Sequence, residues 1–222
     1  MKMQAWTQLP TSWILSGGLK NFLWQKHRGD GTIALLLLLV IAQHVNAESG
    51  RAKLTYSDFE TILGYSRTKI ADGLDLIEKL EIVKRRAGHA SQYQLLGDEK
   101  PWGKIPARPL YSRAERSLTP FKDFSLRKKA ELDALKIYFL FVARRSNETN
   151  TCALTYQQIS DWGAVPRERI KTALTMLYGC GLVYVERQAS NVYEDGVSNL
   201  YRLAHIDPYS HEGTQGRSAS AA

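Results

Sequence analysis

The chain aligns with itself at a constant shift of one hundred residues, and this repeat constrains the fold more than any other feature of its 222 residues. Leu54, Thr55, Tyr56, Arg67, Ile70, Leu74 and Val83 recur without a gap as Leu154, Thr155, Tyr156, Arg167, Ile170, Leu174 and Val183, seven identities in a thirty-residue window. Conservative pairs fill the frame: Phe59 with Ile159, Lys69 with Arg169, Leu76 with Met176, Ile77 with Leu177 and Ile82 with Leu182. Upstream, Ala34 and Leu35 meet Ala134 and Leu135. Whatever unit the chain builds, it builds twice.

Each copy reads as the same series of elements. An apolar helix comes first, about 31–46 in one copy and 126–145 in the other. After a polar loop, Thr55 and Thr155 stand three residues before Asp58 and Gln158, a helix-start pattern in which the hydroxyl accepts an orphan backbone N–H. Short helices follow, roughly 56–63 and 156–161. Gly64 and Gly163 allow a tight turn, and Ser66 and Pro166 open a third helix as N-cap and first-turn residue. That helix is amphipathic, with Ile70, Leu74 and Ile77 on one inward face and Ile170, Leu174 and Leu177 repeating them. The departure at Gly179 to Gly181 predicts that the second copy's helix ends a turn earlier. β-branched runs at 82–86 and 182–187, each with a return strand at 92–96 and 199–203, predict a hairpin per copy. Tyr93 and Leu95 meet Tyr201 and Leu203 at a shift of 108, so the second hairpin is longer by eight residues.

The order helix, helix, turn, helix, hairpin resembles the winged helix-turn-helix superfamily. The segment SRTKIADGLDLIEKLEIVKRR, from Ser66 to Arg86, is similar to its recognition helix and first wing strand. The resemblance covers about two-thirds of the chain, Gly31 to Gly97 and Leu126 to Ala204. It implies a mainly α fold with small β wings (α+β), two winged helix-turn-helix domains in tandem joined by a basic, Pro-containing linker. The expected division is an N-terminal extension plus first domain at 1–97, a linker at 98–124, a second domain at 125–207 and a tail at 208–222.

Charge points the same way. Thirty Lys plus Arg stand against 22 Asp plus Glu, a formal +8, which favours a polyanionic partner. The resemblance implies double-stranded DNA, with the third helix in the major groove. Its outward residues are then the candidate base readers: Ser66, Arg67, Thr68, Lys69 and Asp72 in the first copy, and Arg167, Glu168, Arg169, Lys171, Thr172 and Thr175 in the second. The wings offer Lys84, Arg85, Arg86, His89 and Ser91, and Arg187 with Gln188 and Asn191, to phosphates or the minor groove. For every one of these cations a solvated surface role is the plain alternative.

Between the copies, Pro101, Pro106, Pro109 and Pro120 argue for an extended connector. From Lys100 to Arg145 there are twelve basic and four acidic residues, so this stretch carries the imbalance of the whole chain. Lys100, Lys104, Arg108, Arg113 and Arg116 are candidates to follow the DNA backbone, against a solvated linker. The N-terminal stretch, with Trp6, Trp13, Ile14, Leu19, Phe22, Leu23 and Trp24, suits packing over the first core; a homodimer contact stays open.

The sequence lacks the usual catalytic constellations: no G-x-x-x-x-G-K-[ST] loop, no H-E-x-x-H pair and no G-x-S-x-G elbow. Its five histidines, His27, His44, His89, His205 and His211, share no ligand spacing, and Cys152 and Cys180 form no C-x-x-C pair. The expectation is a non-enzymatic protein with neither cofactor nor metal. The run from Thr32 to Ala42 is about half the length that spans a bilayer, so it reads as a buried helix and no membrane partner is expected. No signal peptide is recognisable, which points to a cytoplasmic, nucleoid-associated protein. Three functions fit: a bacterial, plasmid or phage transcription regulator; a plasmid-type replication initiator, whose paired winged-helix architecture this chain resembles; and a winged-helix adaptor that binds protein.

Overall fold

A helix that is apolar on every side has to be covered on every side, and the run TIALLLLLVIA sets that requirement at the centre of the molecule. The computed structural model describes residues 3–46, 48–86, 89–97, 100–112, 114, 116–189 and 197–206; for 89–91, 187–189 and 197–198 it describes the backbone alone. In chain order the elements are β1 (Trp6–Pro10), α1 (Ser12–Leu15), α2 (Trp24–His27), α3 (Gly29–Gln43), β2 (Val45–Asn46), β3 (Arg51–Lys53), α4 (Tyr56–Leu63), α5 (Arg67–Lys79), β4 (Val83–Arg86) and β5 (His89–Leu95). Then come β6 (Trp102–Pro106), α6 (Lys129–Arg144), β7 (Thr151–Ala153), α7 (Tyr156–Gly163), α8 (Arg167–Gly179), β8 (Val183–Ala189) and β9 (Val197–Leu203). The fold is α+β, with small antiparallel sheets beside a helical core.

Every residue of α3 except Asp30 is buried. Its coverings are α5 on one side, α6 on another, and β1 with β6 at its end. The second copy builds around α6 in the same way, with α8 and α7 packed on it. Because α3 and α6 also pack on each other, the buried side chains of both copies belong to one apolar cluster.

In the first copy the sheet order is β2-β3-β5-β4; in the second it is β7-β9-β8. The third helix runs for thirteen residues in both copies, Arg67–Lys79 and Arg167–Gly179, so the earlier end expected for the second is absent. Gly179 is accommodated as the last helical residue, and the left-handed residue that follows is Gly181 at φ 66°.

The described residues of the segment 98–124, expected as an extended connector, are folded onto the rest of the molecule. Its β6 pairs with β1 from Trp6↔Pro106 to Pro10↔Trp102, and two 3₁₀ turns follow at Arg108–Leu110 and Thr119–Phe121. Ile105, Leu110, Leu118, Phe121 and Phe124 are all buried. Prolines block a helix here but do not prevent an edge strand, and five apolar side chains supply the packing. The N-terminal stretch does cover the core: Leu9, Ile14, Leu19 and Phe22 are buried, and Trp13 sits against Phe22 and Phe139.

Candidate nucleic-acid interface

The two outer helices of each copy are set by the same local chemistry. Thr55 Oγ1 accepts from the Asp58 backbone N–H at 3.1 Å, and Asp58 Oδ2 accepts from the Thr55 N–H at 2.7 Å. Thr155 and Gln158 repeat the exchange at 3.2 and 2.9 Å. Two hydrogen bonds from Thr55 hold the Asp58 carboxyl below the usual carboxylate range. After the helix the chain turns through Gly64 at φ 74° in the first copy and Ala164 at φ 50° in the second. Gly163, expected at that turn, is instead the last residue of α7; Ala164 is the residue that aligns with Gly64. Ser66 stands at the N-cap without a side-chain cap bond, and Pro166 occupies the N-cap itself.

On α5, Ser66, Arg67, Thr68 and Lys69 are exposed and Asp72 is half-buried. The cations among them are engaged. Arg67 donates to Glu60 Oε2 and to Ser57 Oγ, both at 3.0 Å, and so lies back on α4. Lys69 bridges Asp30 at 2.8 Å and Asp72 at 3.3 Å, which raises its pKa. Arg85, from the hairpin, turns onto the same helix and pairs with Asp75 and Glu78. The helix itself carries three basic residues against three acidic ones.

On α8 the pattern differs. Arg167, Glu168, Lys171, Thr172 and Thr175 are exposed, and neither Arg167 nor Lys171 has an ion-pair partner among the described residues. Arg167 aligns with Arg67, but the carboxylate of Glu60 is replaced by Ser160. Arg169 is the exception. Its Nε lies 2.9 Å from Asp133 Oδ2, its Nη2 donates to Oδ1 at 3.1 Å, and the Asp133 side chain is only 3% exposed. Arg169 therefore tethers α8 to α6, as Lys69 tethers α5 to α3. Beneath it Lys136 is buried and donates to Ala164 O at 2.8 Å and Phe22 O at 3.3 Å, with burial pushing its pKa down to about 8. With three basic residues against one acidic, α8 retains a positive exposed face.

In the hairpins, Lys84 and Arg86 are exposed on β4. His89, Ser91, Arg187 and Gln188 lie on strands whose side chains are outside the description, and Asn191 and Arg113 fall outside the described residues altogether. The remaining connector cations part company. Lys104 lies 4.8 Å over the Trp6 ring, Lys100 is exposed, and Arg108 and Arg116 meet at a cleft of about 790 Å³ shared with Lys53, His44 and Asp58. Arg51 and Lys53, on the short strand before α4, were outside the sequence expectation. Three residues are too few for an alternation pattern to show.

Neither models of protein families nor the curated proteins give a match to this chain. Among the described residues no group of three His, Cys, Asp or Glu side chains is placed to hold a metal ion, and no helix is long and apolar enough to cross a membrane. Burial pushes the Cys152 thiol up to about 12 and that of Cys180 up to about 11.

Proposed function

We propose that the chain is a double-stranded DNA-binding protein made of two winged helix-turn-helix units, and that it acts as a sequence-specific transcription regulator without enzymatic activity. The observation that carries this reading is the solvent face of α8. Arg167, Lys171, Thr172 and Thr175 project from a helix held on α6 by buried Ile170, Ala173, Leu174 and Leu177, and among the described residues no carboxylate partner occupies the two cations. An α-helix fits the major groove, and an arginine fork matches the guanine O6/N7 edge. The element order helix, helix, turn, helix, hairpin, present in both copies, supports the same assignment.

Selection of preferred duplexes from a random library tests it. A regulator recovers one motif and binds it at least about a thousandfold more tightly than random DNA at physiological salt; equal binding of all duplexes would overturn the reading. Occupancy over a promoter with altered transcript levels fits regulation. Occupancy at directly repeated sites, with loss of plasmid copy number on deletion, would move the assignment to replication initiation. The adaptor reading has one observation of its own, the exposed Tyr178, Tyr184 and Val185 beside α8; a chain without duplex preference that captures a protein on this face would establish it.

A further inference from the structure

The outer face of the first copy's sheet collects cations that have no ion pair among the described residues. Strands β3, β4 and β5 contain no Asp or Glu, and among them Arg51, Lys53, Lys84, Arg85 and Arg86 are basic. Arg51 pairs with Gln94, and Gln94 with Lys84, while Lys53 pairs with Gln92. Alternation along the strands puts Ala52, Val83 and Tyr93 in the core and leaves Arg51, Lys53, Lys84, Gln92 and Gln94 on the other side. Arg85 faces inward and is claimed by Asp75 and Glu78. After a break in register Arg86 returns to the outer side, where Arg51, Lys84, Arg86, Gln92 and Gln94 surround a depression of about 170 Å³.

Four like charges on one small face repel one another. Residues two apart on a strand are about 6.6 Å apart, inside the Debye length of about 8 Å at physiological salt, and next-but-one strands, about 10 Å apart, lie just beyond it. Several other cations are answered: Arg67 has Glu60, Lys69 has Asp30, Arg169 has Asp133 and Arg202 has Glu186. These four have no ion pair among the described residues. In the second copy the sheet cation Arg202, in register with Thr151 and Tyr184, is bound by Glu186 at 2.8 Å.

We infer that this sheet face binds the phosphate backbone of a DNA duplex, with Arg51, Lys53, Lys84 and Arg86 as the charge and Gln92 and Gln94 as additional amide donors. The inference rests on the duplex-binding reading above; beyond the wing contacts expected of Lys84 and Arg86 it adds Arg51 and Lys53 of β3, takes Arg85 out, and makes the sheet face one phosphate site. Phosphate is the chemistry that fits: the strands offer donors in plenty and no acid, Glu48 and Asp58 stand at the cleft that Lys53 also lines, and Tyr93, which lines the depression, is buried. Contacts of this kind position the protein without reading sequence.

The test is the salt dependence of duplex binding by the full chain carrying Arg51→Gln, Lys53→Gln, Lys84→Gln and Arg86→Gln together, beside a variant with Lys20, Lys26, Lys122 and Arg127 changed to Gln. Both remove the same charge, from exposed positions apart from the half-buried Arg51, and a denaturation midpoint checks that each is folded. The sheet variant should weaken binding to all duplexes by one common factor, reduce the slope of log K against log salt by about 3 to 4, and keep the parent's preferred motif. The other variant should leave the slope near the parent's. An unchanged slope in the sheet variant, or an equal drop in both, would overturn the sheet site while leaving duplex recognition intact. A parent chain that binds no duplex would remove the duplex-binding reading and the sheet site with it.

Discussion

The two copies share a fold plan and distribute their charge in opposite ways. In the first, the third helix is neutral and its Arg67 and Lys69 are tied to Glu60, Asp30 and Asp72, while the outer-face cations of the sheet beside it have no ion pair among the described residues. In the second, Arg167 and Lys171 of the third helix have no ion-pair partner among the described residues, while the sheet cation Arg202 is bound by Glu186. Apolar positions were kept in register because both copies need the same core. Surface positions were free to diverge, and the divergence suits a division in which the second copy reads bases and the first grips the backbone. The acids Asp72, Asp75 and Glu78 along α5 argue against close groove entry by that helix, since each faces a polyanion at a cost.

The comparison is most easily broken at the tethers. Asp133 and Asp30 both hold a third-helix cation, but Asp133 is buried whereas the Lys69–Asp30 pair is more than a third exposed. Asp133→Ala strands Arg169 beside the buried Lys136 and should cost about 3–5 kcal/mol. Asp30→Ala leaves Lys69 with Asp72 and should cost under about 1 kcal/mol. Urea denaturation of both variants decides the matter, and equal losses would mean that the two tethers are alike.

Lys136 sharpens the same contrast, because Leu36 stands at the matching position of the first copy. Burial lowers the folded-state pKa of Lys136 to about 8 from an ordinary 10.5. Between these values the unfolded chain binds more protons than the folded one, so this lysine makes stability rise with pH across that window, by about 3 kcal/mol in all. Below pH 8 both states are charged and the contribution is flat. Lys136→Leu should abolish the rise, measured as the parent-minus-variant difference in unfolding free energy from pH 7.5 to 10. A difference that stays constant over that range would show that the ammonium is not desolvated.

At the interface, Arg167→Ala should cost about 1–3 kcal/mol of discrimination at one base position, read by competition between the preferred duplex and single-base variants. Arg67→Ala should change discrimination little, since Glu60 and Ser57 already hold that guanidinium. If Arg67 proves the stronger determinant, the roles of the copies are reversed.

Much of this was legible in the residues and some was not, for identifiable reasons. The repeat, the Thr55 and Thr155 caps and the inward faces of α5 and α8 are local patterns, and the helices begin within a few residues of where those patterns put them. The pairing of cations was not legible. Asp133 and Arg169 are 36 positions apart and Asp30 and Lys69 are 39, separations that carry no periodic signal. Arg67 and Arg167 looked equivalent because they align; what separates them is Glu60, seven residues before Arg67, where the second copy has Ser160. The segment 98–124 misled because its prolines were conspicuous, while Ile105, Leu110, Leu118, Phe121 and Phe124 follow neither a strand nor a helix period.

Gly73 and Ala173 give the smallest and cleanest version of the comparison, since they are matched positions on the buried side of α5 and α8. A Cβ built on Gly73 would stand 2.7 Å from Leu37 Cδ1 and 3.1 Å from the Ala34 backbone nitrogen, so α5 approaches α3 closely enough to exclude a methyl group. The second copy already carries that methyl on Ala173, fully buried. Gly73→Ala gains about 1 kcal/mol of helix propensity and loses about 1–3 kcal/mol to overpacking, because the backbone of α3 cannot yield as a side-chain tip can. The net loss should be about 1 kcal/mol. Ala173→Gly should lose a similar amount for the opposite reason, a helix without the methyl it was spaced to hold. Gains rather than losses for Gly73→Ala would mean that the two helix pairs are equally spaced, and that the first copy's tighter packing is not what keeps its third helix against α3.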